Sequence, residues 1–465
     1  MVNGTLAALA ARSAPAQTVG VAIRGARAMP PIPVDFMGLG YEIASVGRPG
    51  LMSPANLLYV QLVRTLGTQG VLRVGGNTAD YARYAPAAAA VSSPYGTVVN
   101  DAVLKDLGGF LGATGWKLIW GLNLGSGSVA DAIAEAKIIQ QVAGERLLAF
   151  EIGNEPDLFP GEKHRGRDYG YGEWLADYRR YKGALRAQFP HLPLAGPDVA
   201  GKTDWVTRFA ADEGKDCVLL THHYYREGQS PTSTIQKLLG VDPRLQPRLD
   251  QLRAASRSCG VPYRICEVNS FSGGGRPGVS DTMAGALWAL DYLFALAYNG
   301  CSGVNMETGV NQHHFISSYS PIGDDEHGHY AAKPEYYGLL AFSLSGQGEM
   351  LDVAVDPAAS TIKAYATRSR KRKLLLTLIN KGETNARLHV DTGNQAADGM
   401  VDVIRLLAPS VDATAGITLG GVLLTAQGTW KGATREATGL HKGQMVIDLP
   451  AASAAIVEMV RSSAK

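Results

Sequence analysis

Residues 147–157 read LLAFEIGNEPD, a mostly apolar run that stops at a glycine and is followed by an amide, two acids and a proline. A short apolar run that ends in turn residues is typical of a strand buried in a parallel sheet. Seven more such runs lie between residues 35 and 346, and segments with helical periodicity separate them. The eight predicted strands are residues 36–43, 71–75, 117–122, 147–153, 192–196, 217–225, 263–268 and 303–307. Eight strands that alternate with helices over about 310 residues predict an α/β fold, a (β/α)8 TIM barrel.

The pattern changes after residue 346, where alternating strands follow one another without helical periodicity. Such alternation predicts half-buried strands. We therefore predict a catalytic barrel over residues 31–346 and a C-terminal antiparallel β-sandwich over residues 347–465. The N-terminal segment 1–30 contains the valine-rich residues 18–23, which have no place in the barrel. We expect them to add a strand to the sandwich.

Composition excludes several classes of protein. The chain has 465 residues, with 44 Lys+Arg against 42 Asp+Glu, and this near-neutral balance argues against a dedicated nucleic-acid-binding protein. The longest apolar stretch, residues 283–298, contains Asp291 and is shorter than the roughly 20 residues of a membrane span. We expect a buried helix there and no membrane span. The four cysteines form no CxxC pair, so they indicate neither a redox motif nor a zinc ribbon.

Two glutamates follow predicted strands on the side of the barrel where chemistry takes place. Active sites of such barrels lie at the carboxyl ends of the strands. Glu155 follows the fourth strand, and Glu267 lies at the end of the seventh. Two carboxyl groups that converge across a barrel mouth are what glycoside hydrolysis needs, because one protonates the leaving oxygen while the other attacks the sugar or positions water. A separation of about 5–5.5 Å would indicate a retaining mechanism.

Four motifs occur in order along the chain: LRVGGN at 72–77, GNEPD at 153–157, GPDV at 196–199 and HHYY at 222–225. Together they resemble the heparanase and β-glucuronidase family, glycoside hydrolase family 79, over nearly the whole chain. The resemblance implies a retaining hydrolase without cofactor or metal, in which Glu155 is the acid/base and Glu267 the nucleophile. It also implies that Asn154 holds the sugar 2-hydroxyl, that Tyr224 donates its hydroxyl to the nucleophile, and that His222 supports the same site.

Specificity for a uronic acid needs a group that accepts its carboxylate. Backbone N–H groups of consecutive glycines can form an anion-binding nest, and such a run follows the nucleophile. By the resemblance, Gly273 and Gly274 take this role together with Tyr319 from the loop after the eighth strand. Three further polar residues at the ends of the first two strands are expected to bind sugar hydroxyls: Tyr41, Glu42 and Asn77.

Three other features need an interpretation. The basic run 163–167 follows the acid/base closely, and it is either a solvated surface or a contact for sulfates and carboxylates of neighbouring sugars. The run DDEHGH at 324–329 lacks an HExxH frame, so we predict no metal site there. Alternation along the seventh strand is expected to turn Cys266 away from Glu267, as a buried small residue and not a nucleophile.

These observations predict an endo-β-glucuronidase that acts on glycosaminoglycan of the heparan sulfate type. Alternatives are an exo-β-glucuronidase, a barrel glycosidase for neutral sugars, and a carbohydrate-binding protein that has lost catalysis. The expected partner is a saccharide that contains glucuronic acid. We expect a monomer without proteolytic maturation, because the barrel contains no long excisable linker. The first thirty residues show no signal-peptide pattern, yet a polymeric substrate outside the cell makes a secreted or periplasmic location the expectation.

Overall fold

The computed structural model describes residues 16–87, 96–312, 315, 317–358, 361–369 and 373–461. After the N-terminal strand β1 (Gln17–Ala26), eight parallel strands form the barrel: β2 (Gly38–Glu42), β3 (Val71–Gly75), β6 (Lys117–Leu122), β7 (Leu147–Ile152), β8 (Ala195–Val199), β9 (Leu219–Gly228), β10 (Tyr263–Ser272) and β11 (Val304–Glu307). Hydrogen bonds join them in the order β7-β6-β3-β2-β11-β10-β9-β8, and a bridge between Phe150 and Leu194 joins the two ends of this order. The predicted (β/α)8 barrel is confirmed.

Helices connect the strands around the outside of the barrel. They are α1 (Ile43–Gly47), α2 (Leu57–Leu66), α3 (Asp101–Thr114), α4 (Val129–Ala143), α5 (Tyr171–Gln188), α6 (Thr203–Asp212), α7 (Ile235–Leu239), α8 (Leu245–Cys259), α9 (Met283–Tyr298) and α10 (Pro334–Ser345). Local sequence explains several boundaries. The Ser128 side chain accepts from the backbone of Asp131 in a capping box that begins α4, and Gly115 ends α3 in a left-handed conformation.

Two short strand pairs form small sheets that are separate from the barrel sheet. The pair β4 (Ala82–Tyr84) and β5 (Thr97–Val99) is parallel, and the pair β12 (Ile322–Asp324) and β13 (Tyr330–Ala332) is antiparallel. Helix α9 covers the apolar stretch that the sequence predicted to be a buried helix, and nearly all of its side chains are buried. Within the described residues, no helix combines the length and apolarity that crossing a membrane would require.

The C-terminal sheet comprises β14 (Glu349–Asp356), β15 (Ile362–Arg368), β16 (Lys373–Asn380), β17 (Ala386–Asp391), β18 (Gly399–Leu407), β19 (Thr418–Leu419), β20 (Glu436–Leu440), β21 (Gln444–Leu449) and β22 (Ser453–Val460). Strand β1 is inserted between β14 and β17 in the order β19-β18-β22-β16-β15-β14-β1-β17-β21, and β20 pairs with β18. Side chains from strands far apart in this order share one core, so the sheet folds over on itself as a sandwich.

One detail of this domain differs from the prediction. Strand β1 runs antiparallel to β14 but parallel to β17. The sheet is therefore mixed and not purely antiparallel, because β1 comes from the other end of the chain and is not bound by the hairpin connections that make consecutive strands antiparallel.

Candidate active site

The two glutamates that the sequence singled out meet at the mouth of the barrel. Glu155 follows β7 and has left-handed backbone angles just before the short 3-10 turn Pro156–Leu158. Glu267 lies on β10, and His223 on β9 lies between the two acids. One oxygen of each glutamate and one nitrogen of His223 all lie within 4.8 Å of one another. The structure therefore brings a pair of carboxyl groups to the distance at which both can reach one sugar.

Both oxygens of Glu267 are held by donors. Arg73 donates to Oε2 at 2.8 Å, and the hydroxyl of Tyr225 donates to Oε1 at 2.9 Å. Arg73 is completely buried, while the Glu267 side chain keeps 12% of its surface exposed. These contacts fix the orientation of the carboxylate and leave it accessible from the cleft.

Glu155 has a different environment. Burial raises the pKa of Glu155 to about 7, although the hydrogen bond and charge of His223 act to lower it. The Nδ1 atom of His223 lies 2.8 Å from Glu155 Oε1. A carboxyl group with a pKa near neutrality can both donate and accept a proton, as a general acid/base must.

A buried charge network supports the two glutamates from below. Arg73 donates to Glu151, Asp198 and Asn154 as well as to Glu267. His223 Nε2 lies 2.7 Å from Asp198 Oδ1. Burial acts to lower the pKa of His223, but the Asp198 and Glu267 carboxylates outweigh it and raise that pKa well above its ordinary value. The imidazole is therefore a cation that bridges Asp198 and Glu155.

The predicted roles of Tyr224 and His222 are wrong in this structure. The hydroxyl of Tyr224 donates to Asp242, outside the barrel mouth, and its ring stacks on Tyr292. His222 lies beside Thr203, and burial lowers its pKa to about 3. Successive side chains of a strand point to opposite faces, so the next residue in each case, Tyr225 or His223, occupies the site.

Cys266 also departs from the expectation. Its sulfur lies within 4.8 Å of oxygens of Glu151 and Asp198, inside the barrel and below the mouth. The pairing of β10 with β9 shifts register between Ile265 and Glu267, and such a bulge interrupts the strict alternation of faces. Burial raises the pKa of the Cys266 thiol well above its ordinary value, so the thiol stays protonated and is no rival nucleophile.

Asn154 and Asn77 lie together at the edge of the site. The Nδ2 group of Asn154 donates to Asn77 Oδ1 at 3.0 Å, and Arg73 donates to Asn154 Oδ1 at 2.8 Å. The backbone N–H of Asn154 donates to the buried carboxyl group of Asp80. These bonds set the direction of the amide beside Glu155, where a sugar hydroxyl would meet it.

Glu42 and Tyr41 have different positions although they are neighbours in sequence. Glu42 accepts from the backbone N–H groups of Asn77 and Thr78, so it anchors the loop that follows β3. Tyr41 is completely buried, and its hydroxyl lies 2.8 Å from that of Tyr59. The prediction that Tyr41 binds a sugar hydroxyl is therefore wrong, since its side chain points away from the mouth and toward α2.

The glycine loop after β10 lies beside Tyr319. Gly273 and Gly274 have φ angles of 81° and 90°, and no hydrogen bond from either backbone N–H to another described residue is found. A Cβ atom on Gly274 would lie 2.9 Å from Phe315. The Tyr319 ring packs against the ring of Tyr225, the tyrosine that contacts Glu267, with ring centroids 6.1 Å apart. The three predicted carboxylate-binding residues thus surround one side of the site, and their role stays a prediction.

The basic run 163–167 is largely engaged within the protein. Arg165 donates to the carbonyls of Leu124 and Gly125 at 2.8 and 2.9 Å. The His164 ring packs between Tyr81 and Phe159. Lys163 and Arg167 are exposed, so they are the cations of this run that solvent or a ligand can reach.

The acidic run 324–329 forms the turn between β12 and β13, and its carboxylates accept hydrogen bonds from nearby backbone N–H groups. Asp324 accepts from the backbone of Asn311 at 2.6 Å, and Asp325 accepts from the backbones of His327 and His329. In the described part of the chain, three-residue groups with metal-ligand atoms close together occur only around the barrel axis: Glu151, Asp198 and Cys266, and Glu155, His223 and Glu267. In both groups the carboxylates already contact the Arg73 guanidinium or the His223 imidazolium.

Sequence reasoning missed the buried centre of the site, which consists of Arg73, Asp198, His223 and Tyr225. Each of them lies within a motif that the sequence had marked. The available signal was a charged residue inside a strand predicted to be fully buried, because a buried charge must be paired. Arg73 in the second predicted strand meets that criterion, whereas Asp198 lies just beyond the predicted fifth strand, 192–196, and does not.

Comparisons with known proteins agree with this geometry. A model of the glycosyl hydrolase family 79 C-terminal β domain matches residues 364–456. A β-glucuronidase from Aspergillus niger is 27% identical and aligns with 91% of this chain and 88% of its own. Heparanase from Rattus norvegicus is 26% identical and aligns with 47% of this chain and 40% of its own. These matches confirm the resemblance to the heparanase and β-glucuronidase family.

Solved structures share the whole fold. A 4-O-α-L-rhamnosyl-β-D-glucuronidase from Fusarium oxysporum has a TM-score of 0.79 at 18% identity, covering 95% of this chain and 100% of its own. An α-L-arabinofuranosidase from Thermotoga maritima has a TM-score of 0.69 at 14% identity, covering 95% and 99%. At such identities the likeness concerns the fold: a barrel followed by a β domain.

Proposed function

Since the chain is a glycoside hydrolase related to family 79, we propose that it cleaves β-linked glucuronic acid by a retaining double displacement. The observation that carries the proposal is the spacing of Glu155 and Glu267, of which one oxygen each lies within 4.8 Å of the other. Retaining enzymes have carboxyl groups about 5–5.5 Å apart, whereas inverting enzymes need about 6.5–9.5 Å to admit a water molecule.

The different environments of the two acids support different roles. Glu155, with its pKa raised to about 7 by burial, protonates the oxygen of the leaving group. Glu267, oriented by Arg73 and Tyr225, attacks the anomeric carbon and forms a covalent glycosyl-enzyme. Glu155 then removes a proton from water, and that water releases the sugar from Glu267 with retained configuration.

The substrate class rests on the relatives and on the glycine loop. Curated relatives are named β-glucuronidase and heparanase. The N–H groups of Gly273 and Gly274 have no hydrogen-bond partner among the described residues, and with Tyr319 beside them they are suited to the carboxylate of a uronic acid. A neutral sugar would need no such anion-binding group.

Action inside chains of the heparan sulfate type is the finer form of the proposal. The exposed Lys163 and Arg167 near the acid/base are the cations that could meet a sulfated chain. Removal of single terminal residues is the alternative, and it is favoured by the engagement of Arg165 and His164 within the protein. We further propose a monomer in a secreted or periplasmic location.

The test begins with release of chromophore from an aryl β-glucuronide. Glu267→Gln is expected to lower kcat by more than about 100-fold while glucuronate still binds, and Glu145→Gln, an exposed acid outside the site, is the control. The first product seen by NMR should be the β-anomer. The α-anomer would contradict a retaining mechanism, and an active Glu267→Gln variant would contradict the assigned nucleophile.

A second measurement separates the two modes of action. Heparan sulfate is analysed by size exclusion before and after incubation with the enzyme. An early, broad fall in chain size would support cleavage inside the chain. Chromophore release without that fall would support the exo-acting alternative.

A further inference from the structure

Glu307 is a further acid at the barrel mouth, and the mechanism above does not use it. It is the last residue of β11, the eighth barrel strand, and is 4% exposed. Strand β11 pairs with β2, the first strand of the barrel, and Glu307 lies opposite Gly40 of β2. A Cβ atom on Gly40 would lie 2.7 Å from Glu307 Oε2. The absence of a side chain at Gly40 in β2 therefore leaves the space that the Glu307 side chain occupies.

One carboxyl oxygen of Glu307 has no hydrogen-bond partner in the part of the chain that the structure describes. Oε2 is buried and forms no hydrogen bond with any described residue. A buried polar atom without a partner costs free energy. Such an atom at the edge of an active site is explained if a ligand completes its hydrogen bonding.

The charges around Glu307 are predominantly negative. Glu267 and Glu42 face it, and Tyr319 and Tyr41 lie close enough for its charge to raise their pKa values. Burial, Glu267 and Glu42 raise the pKa of Glu307 well above its ordinary value, although Arg73 and His223 oppose the shift.

The two cations close to Glu307 are Arg73 and His223, and both already pair with other acids. Arg73 donates to Glu151, Asp198 and Glu267, and both ring nitrogens of His223 face carboxylates. No ion pair of Glu307 is found among the described residues. An ionised Glu307 would thus be an unpaired buried charge, whereas a neutral carboxylic acid has an O–H group to donate.

We propose that Glu307 is a neutral carboxylic acid in the working enzyme and donates a hydrogen bond to the glucuronic acid bound beside Glu267. This inference rests on the proposed function, because the acceptor is an oxygen of that sugar. A neutral donor at this place also avoids the repulsion that a third carboxylate would exert on an anionic sugar. Glu307 thereby contributes to specificity for a uronic acid, on the side of the site where Tyr319 lies.

Two substitutions distinguish hydrogen-bond donation by Glu307 from an effect of its negative charge. Glu307→Gln keeps the size and a donor but cannot ionise, and its kcat/KM on an aryl β-glucuronide is expected to stay within about threefold of the unmodified enzyme. Glu307→Met keeps the approximate size without a donor. It is expected to raise KM, and the inhibition constant of free glucuronate, by about 10- to 100-fold.

Glu135→Gln is the matched control. Glu135 is also a buried glutamate, bonded to Trp120 on the outside of the barrel, and its pKa is raised by burial to about 7. Its substitution is expected to leave KM unchanged. An infrared difference spectrum between the unmodified enzyme and Glu307→Gln at pH 7 should contain the band of a protonated carboxyl group.

The outcomes are distinct. If Glu307→Gln loses as much activity as Glu307→Met, or the protonated band is absent, Glu307 acts as an anion and the proposal is overturned. If Glu307→Met binds glucuronate as well as the unmodified enzyme, Glu307 does not contact the sugar. If the unmodified enzyme cleaves no glucuronide, the proposed function itself fails, and this inference fails with it.

Discussion

Two neighbouring tyrosines on β9 should differ sharply in what their hydroxyl groups contribute. Tyr225 donates to Glu267, whereas Tyr224 donates to Asp242 away from the cleft. We expect Tyr225→Phe to lower kcat/KM on an aryl β-glucuronide by about 10- to 100-fold, because the nucleophile loses one of its two orienting donors. Steady-state kinetics would measure this directly.

Tyr224→Phe is the control because it removes the same hydroxyl group one residue away. Its kcat/KM should stay within about threefold of the unmodified enzyme, while some thermal stability is lost with the bond to Asp242. The opposite ranking of the two variants would mean that Tyr224, as the family motif suggested, contacts the nucleophile.

The pH dependence of activity should reveal the contact between His223 and Glu155. The general acid must be protonated, so kcat/KM should fall as pH rises through the pKa of Glu155, which is about 7. His223 lowers that pKa through its hydrogen bond and charge. In His223→Asn the alkaline fall should therefore move to higher pH, and kcat should drop as well because Glu155 loses a positioning residue.

His222→Asn supplies the comparison for this profile. His222 is as buried as His223 but contacts Thr203 instead of the catalytic acids. Its substitution should leave the alkaline fall in place. A fall that stays at the same pH in His223→Asn would show that His223 does not tune Glu155.

The sequence predicted a histidine and a tyrosine at the site, but it selected His222 and Tyr224 instead of their neighbours His223 and Tyr225. This error has a physical explanation. The strands of a parallel barrel are buried on both faces, so apolar and polar residues do not alternate visibly. In the run 222–225 all four side chains are polar or aromatic, and hydropathy does not distinguish the face of His222 from that of His223. At Cys266 the bulge in β10 shifts the alternation itself, and such a bulge depends on the neighbouring strand.

At the scale of the elements, the packing of α10 against α9 depends on a glycine. A Cβ atom on Gly338 of α10 would lie 2.2 Å from the backbone oxygen of Ala286 on α9. Gly338→Ala must push the two helices apart, and we expect it to lower the free energy of unfolding by about 1–3 kcal/mol. Denaturant unfolding followed by circular dichroism would measure the change.

Gly183→Ala tests the same substitution where space is available. Gly183 lies on the exposed face of α5, and nothing lies within 4 Å of a Cβ atom built there. Alanine should stabilise this helix by about 0.5–1 kcal/mol, because glycine is the poorer helix former. Equal effects of the two substitutions would contradict the close approach of α10 and α9.

Elements differed in how well the sequence predicted them. Barrel strands were predicted because each is a local apolar run. The fifth was placed too early, at 192–196 instead of Ala195–Val199, because Pro197 and Asp198 suggest a turn. Asp198 is nevertheless part of the strand, since Arg73 and His223 balance its charge. The parallel pairing of β1 with β17 joins residues such as Val19 and Leu388, which local patterns do not connect.

At the scale of the whole molecule, the barrel and the sandwich share one continuous apolar layer. In β16, β18 and β22 the side chains alternate between the core of the sandwich and the helices of the barrel. Leu376 and Val457 face the sandwich, whereas Ile379 and Ile456 join the cluster that contains α9 and α10. We therefore expect the two parts to unfold together in a single transition, because separating them would expose this layer.

Several polar contacts cross this interface, and a nearly buried ion pair among them offers a direct test of the coupling. Lys381, the residue after β16, pairs with Asp291 of α9 at 2.5 Å, and the Tyr365 hydroxyl donates to the same carboxylate at 2.7 Å. The side chains of the ion pair keep only 10% and 16% of their surface exposed. Removing one partner of such a pair leaves an unpaired charge with little access to water.

Asp291→Asn should consequently lower the free energy of unfolding by about 3 kcal/mol, since Lys381 is left unpaired. Lys381→Met should cost less, because Tyr365 still donates to Asp291. Combining the two, as Asp291→Asn with Lys381→Met, removes the unpaired charge and should recover most of the loss, so that the double-mutant cycle shows a clear coupling energy. Denaturant unfolding measures all four proteins. Additive losses, or a second transition confined to Asp291→Asn, would mean that the barrel and the sandwich are stabilised independently.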